Sequence, residues 1–205
     1  MSTVAPIGDP AAVAAAAGAA GRGELVVVPT DTVYGLAASV DRPEAVAAIF
    51  VAKGRAPEVA LPVLVGAVDD ARAVARFDDG AEALAAAFWP GPLTIVLPRA
   101  PGLTADLGGD GATVGIRVPA HGPLRRLLAA TGPLATTSAN RSGEPTPATV
   151  DGVEAVFGEA VSVYLDGGPA SGGPASTVVS LQAGTPTVLR EGAISLDDLR
   201  RALRP

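Results

Sequence analysis

"VVVPTDTVYGLAA", residues 26–38, is the stretch on which the reading of this chain turns. Three valines meet Pro29, then Thr30, Asp31, Thr32 and Tyr34 follow, and the chain returns to small apolar residues. A short run of branched aliphatics predicts a buried strand. Proline could simply end it, and a solvated turn would favour Gly or Asn at the next positions. Hydroxyls and a carboxylate stand there instead. Two readings follow: a plain turn, or a strand that delivers hydroxyls and backbone amides to the floor of a ligand pocket.

Outward from this stretch, strand-like runs recur: LPVLVGAV (61–68), LTIVLPR (93–99), TVGIRVP (113–119), PLATTSA (133–139), VSVYLD (161–166), STVVSL (176–181) and PTVLRE (186–191). Helical patterns lie between several of them. Asp41 with Glu44 reads as an acidic cap before AVAAIFVAK, with Gly54 as its stop. DDARAVARF, GAEALAAAF, HGPLRRLLAAT and TVDGVEAVFG read as helices, as does LDDLRRALR behind a Ser195/Asp198 cap. The expectation is one α/β domain over 1–205 with a mixed parallel and antiparallel sheet and flanking helices. The Gly/Pro-rich stretch 166–176 is read as a spacer or a mobile lid.

Composition narrows the chemistry. The 205 residues contain no cysteine and one histidine, His121, which excludes thiolate and histidine-rich metal sites and a cysteine nucleophile. His121, at a helix start, reads as structural or solvated. A net charge of -6 argues against a general nucleic-acid surface and requires any anionic ligand to be met locally. The alanine-rich segment near the N-terminus lacks the basic flank of an export signal, and no run reaches a membrane span, so a soluble, cytoplasmic protein is expected. Fourteen of the fifteen basic residues are arginine; Lys53 is the only lysine and Asn140 the only asparagine.

Neither G-x-x-x-x-G-K-[ST] nor G-x-S-x-G occurs. What remains is cations and hydroxyls at element ends. Lys53 and Arg55 lie in AKGRAP; Thr113, Gly115 and Arg117 share a strand face; Thr136, Ser138 and Asn140 repeat that two-residue spacing before Ser142 and Thr146; Arg190 ends a strand. A buried arginine needs a carboxylate or phosphate partner. The set points to recognition of a polyphosphate and a small polar substrate, with catalysis by positioning and charge stabilisation.

PTDTVYGL, AKGR, FWPGPLT, GIRVP, TSANRSGEPTP and STVV…VLREG occur here in the order and spacing of the YrdC/Sua5 family, which the chain resembles over roughly residues 20–192. That family makes threonylcarbamoyl-AMP for the tRNA modification t6A. The resemblance implies a twisted sheet with an open, positively lined concave face. It implies a reaction in which L-threonine and bicarbonate give N-carboxythreonine, whose carboxylate attacks the α-phosphate of ATP and releases pyrophosphate. By position, Thr30, Thr32, Tyr34, Arg117 and Thr136 would border threonine, and Ser176 with Thr177 would close on the adenylate. Lys53, Arg55, Thr113, Ser138, Asn140, Thr146 and Arg190 would hold ATP, with Lys53 and Arg55 catalytic. Mg²⁺ would arrive with the nucleotide, and a separate threonylcarbamoyl transferase would take the product on to tRNA. Three positions depart from the family pattern: Ala56 replaces a proline, Val59 stands near an asparagine's place, and Leu64 occupies that of a histidine that meets threonine. The resemblance implies the short form of the family, the additional C-terminal domain of the longer form being expected to be absent. The rival readings are a paralogous carbamoyl-adenylate enzyme with another acceptor and a noncatalytic RNA-binding module.

Overall fold

The stretch at 26–38 folds as two strands joined by a turn. Val26–Val28 form β2 and Gly35–Ser39 form β3, antiparallel, with Val26 opposite Ala37 and Val28 opposite Gly35. The second strand carries no β-branched residue, so propensity does not announce it. It is small because its neighbours crowd it: a Cβ on Gly35 would lie 2.8 Å from the Thr136 methyl.

The computed structural model describes residues 2–170, 173–182 and 185–204. Around that pair, a mixed sheet of ten strands is completed by β1 (Thr3–Pro6), β4 (Val63–Leu64), β5 (Leu93–Pro98), β6 (Thr113–Arg117), β7 (Leu134–Ser138), β8 (Val163–Asp166), β9 (Thr177–Gln182) and β10 (Thr185–Arg190). The order is β1-β8-β2-β3-β7-β4-β6-β5-β9-β10. Parallel pairs (β1/β8, β2/β8, β4/β6, β5/β9) mix with antiparallel ones, as the alternation of patterns predicts. β1 is a strand the sequence reading passes over. It is short, carries Pro6 and sits at the sheet edge, where a missing N–H is tolerated.

Helices cover the two faces unequally. α1 (Pro10–Gly21) and α5 (Gly122–Thr131) pack on one face over Val26, Val28, Leu64 and Leu134. α2 (Pro43–Lys53), α3 (Val68–Val74), α4 (Asp79–Phe88), α6 (Val150–Phe157) and α7 (Leu196–Ala202) cover the other, over Leu36, Val63, Ile95 and Ile116. The Ser195/Asp198 capping box opens α7, and Gly54 ends α2 in a left-handed conformation (φ 60°), both as expected. Asp41 is not the cap of α2: the N-cap is Arg42, whose side chain makes no capping bond, and Pro43 at the first position has no N–H to satisfy. The third helix stops at Val74 because Ala75 bridges to Arg99.

Past α5, the first face changes character. Along β6, β5 and β9 it carries Gly115, Thr94 and Ser180 where an apolar layer would otherwise stand. Among the described residues no helix is long and apolar enough to cross a membrane.

Candidate functional site

Register brings the cations onto this face. Leu64 pairs with Arg117 across the parallel β4/β6 ladder, so both side chains point the same way as Gly115 and Thr94. Arg190 reaches the face through a bulge. Val188 pairs with Val179, yet Arg190 pairs with Val178, leaving Leu189 as the extra, exposed residue. Without it, Arg190 would oppose Thr177 and point to the opposite side.

Arg117 is almost fully buried and has the partner its burial requires. Its Nη2 donates to Asp31 Oδ1 at 2.6 Å, Nη1 to Thr32 Oγ1 at 3.2 Å and Nε to the Gly91 carbonyl at 3.0 Å. Burial pushes its pKa down and the Asp31 charge opposes that. Asp31 is absent from the expected site residues, although an acid after a strand end, with a buried arginine elsewhere in search of a partner, was a readable signal.

Arg190 donates from Nε and Nη2 to the Ser176 carbonyl, and from Nη2 to Ser176 Oγ at 2.8 Å; that hydroxyl lies 3.1 Å from Thr94 Oγ1. Desolvation, followed by the charges of Arg117 and Arg55, lowers its pKa. Arg190 therefore lies within electrostatic reach of both Arg117 and Arg55. Among the described residues, no carboxylate lies within 4 Å of Arg55 or Arg190.

A cleft of about 370 Å³ opens beside β7, lined by Lys53, Arg55, Val59, Ser138, Asn140 and Ser142. Lys53 does not extend into it as a loose charge. Its Nζ donates to the carbonyls of Ser138 (2.6 Å) and Asn140 (2.7 Å) and lies 3.3 Å from Asn140 Oδ1, so a direct grip on a phosphate would require breaking one of these bonds. Burial, then the Arg55 charge, pushes Lys53 down to about 8. Asn140 in turn ties its own loop through Nδ2 to the Arg141 and Glu144 carbonyls and accepts from Thr146 Oγ1 at 3.2 Å. Arg55 donates to Thr137 Oγ1 and the Ala60 carbonyl.

Several expected ligand contacts are engaged elsewhere. Thr30 Oγ1 accepts from the Thr32 and Val33 amides and donates to the Val33 carbonyl, which builds the turn itself. Tyr34 is buried, and its hydroxyl donates to the Gly168 carbonyl at 2.6 Å while accepting from the Gly167 amide. Thr136 Oγ1 donates to the Leu134 carbonyl. Thr113, at the far end of β6 from Arg117, donates to Asp110 Oδ1. Thr177, expected beside Ser176 at the adenylate, faces away from it. Adjacent strand residues face opposite sides, and its hydroxyl bonds the Ile194 amide and carbonyl under the other face. The lid reading of 166–176 lies in part outside the described residues, at 171 and 172. Of its described parts, 166–170 is tied down by Tyr34 and by the Ala170 amide on the Ala148 carbonyl, and the other end by Arg190 on Ser176.

Comparison with known proteins agrees with this architecture. The Sua5/YciO/YrdC family model, described as "Telomere recombination", matches residues 19–192. A Mycobacterium leprae relative is 44% identical over 192 residues, 93% of this chain and 87% of its own length. The threonylcarbamoyl-AMP synthase of Pyrococcus abyssi is 37% identical over 92% of this chain, which spans 56% of that protein. The crystal structure of P. abyssi Sua5 complexed with L-threonine superposes with a TM-score of 0.87 at 36% identity, covering 93% of this chain and 56% of that one. This chain belongs to the Sua5/YciO/YrdC family.

Proposed function

We propose that this protein is a cytoplasmic L-threonylcarbamoyladenylate synthase, a nucleotidyltransferase that supplies threonylcarbamoyl-AMP to a separate transferase acting on tRNA. The observation that carries the reading is that Arg117 and Arg190 point to one face of the sheet with the Arg55 charge near enough to lower the Arg190 pKa, only Arg117 of the three having a carboxylate partner among the described residues. Such a face suits an anion with several charges, and the relatives' names supply its identity.

In this reading threonine's carboxylate lies along the Arg117 side, between Thr32, Thr136 and Ser176. Its amine forms a C–N bond to the carbon of bicarbonate, and hydroxide leaves with an amine proton as water. A carbamate oxygen then attacks the α-phosphorus of ATP, the bond to the β-phosphate oxygen breaks, and pyrophosphate departs. Arg55 and Arg190 offset the developing charge, while Ser138, Asn140, Thr146 and Thr113 border the nucleotide. Lys53 acts by fixing the 138–140 segment and by adding positive charge beneath the cleft. Among the described residues, no cluster of three or more His, Asp or Glu could hold a metal. A Mg²⁺ would be carried by phosphates and water and would screen the phosphate charge.

The test is pyrophosphate release from ATP, Mg²⁺ and bicarbonate with each amino acid in turn. Release should require both threonine and bicarbonate. Equal release with serine, or release indifferent to bicarbonate, would overturn the reading. An RNA titration across salt concentrations should show no binding that survives physiological ionic strength.

A further inference from the structure

The turn that joins α4 to β5, residues 89–93, presents three consecutive carbonyls, and each is taken by a different part of the molecule. The Gly91 carbonyl accepts from Arg117 Nε at 3.0 Å, that of Pro92 from the Thr177 amide at 2.9 Å, and that of Leu93 from the indole Nε1–H of Trp89 at 2.7 Å. Pro90 and Pro92 have no amide hydrogen. The Gly91 amide, between them, donates to the Val118 carbonyl at 2.9 Å. Gly91 leaves no room for a side chain, since a Cβ there would lie 2.3 Å from the Phe88 carbonyl oxygen.

Two of these bonds end at the face that carries the cations. Arg117 is held there by Asp31, Thr32 and Gly91, and of the three only Gly91 fixes its Nε. Thr177 opens β9, so the tie from its amide to Pro92 anchors the preceding Ser176, whose carbonyl and hydroxyl Arg190 binds. Lys53 and Arg55, on the nucleotide side, bond other elements. Trp89 closes the turn from behind. Its buried ring meets Phe77 edge-on, with centroids 6.2 Å apart, and its bond to Leu93 joins the first residue of the turn to the last. Without that donor a buried carbonyl is orphaned and the turn is free to shift. We propose, resting on the reading above, that Trp89 is a positioning residue: its indole N–H locks the 89–93 turn so that Gly91 and Pro92 hold Arg117 and Ser176 at the spacing threonine requires.

Trp89→Phe keeps an aromatic ring beside Phe77 and withdraws the N–H. The Nε–H resonance of Arg117 is identified by its loss in Arg117→Lys. That of Arg125, which donates to the Gly66 carbonyl outside this turn, is identified in the same way and serves as the reference. In Trp89→Phe the Arg117 Nε–H should exchange with water about tenfold faster while that of Arg125 holds. The KM for threonine should rise about tenfold and that for ATP change less than about twofold. Unaltered exchange at Arg117, equal acceleration at both arginines, or equal changes in the two KM values overturns the proposal. Faster exchange at Arg117 alone, in a protein that releases no threonine-dependent pyrophosphate, would sustain the lock and sink the reading of the enzyme.

Discussion

The ammonium of Lys53, the chain's one lysine, bonds both the main-chain and the side-chain oxygen of Asn140, its one asparagine. The tie is reciprocal, because the Ser142 amide donates back to the Lys53 carbonyl at 2.9 Å. The end of α2 and the loop leaving β7 are thereby fastened into one wall of the cleft.

Lys53→Met leaves those buried oxygens without their donor. A loss of about 1–3 kcal/mol in stability is expected, measured by urea unfolding, together with a fall in turnover of about 10²- to 10³-fold. Near-normal turnover would remove Lys53 from the machinery.

The same lysine sets a pH dependence. Burial and the Arg55 charge bring it from 10.5 down to about 8. Between those values the unfolded chain holds a proton that the folded chain has released. This group's contribution to stability therefore rises with pH across the window. Its positive charge fades over the same interval, so kcat/KM for ATP should fall above about pH 8. In Lys53→Arg the descending limb should disappear. A limb that persists there would assign it to another group.

Asp31→Asn removes the charge facing Arg117 in a pair whose side chains are only 15% and 7% exposed. Breaking a buried pair costs about 3 kcal/mol, which denaturant unfolding will register. The KM for threonine should rise more than that for ATP, since Arg117 loses its fixed orientation. Equal changes in both would count against an amino-acid role for Arg117.

Ser176 and Thr177 separate site from scaffold. Ser176→Ala deletes the hydroxyl that Arg190 and Thr94 share and should lower kcat/KM by about tenfold with little loss of stability. Thr177→Val should do the reverse, costing about 1–3 kcal/mol while activity holds, because its hydroxyl serves Ile194. The two variants need only a melting curve and an assay of pyrophosphate release. Similar effects of both would contradict the alternation of the strand.

Sequence by itself determined most of the elements and the identity of the polar residues. Strands β2 and β4–β10 were readable because branched side chains pack well on a pleated, buried surface, and the cap of α7 because its side chains satisfy amides within one turn. Arg117 was legible as a buried cation in need of a partner, and Lys53 and Asn140 as rare survivors in a biased composition. Tertiary structure alone decided which hydroxyls remain available. Thr30, Tyr34 and Thr177 look like Thr32 and Ser176 in the sequence, yet their oxygens bond backbone groups that only the fold brings near. It also decided that Asp31 meets Arg117, 86 residues away, and that one bulged residue, Leu189, turns Arg190 toward the site. Local propensity acts over a few residues, whereas register and long-range hydrogen bonds are fixed only when the whole sheet assembles, and these set the direction in which each polar side chain points.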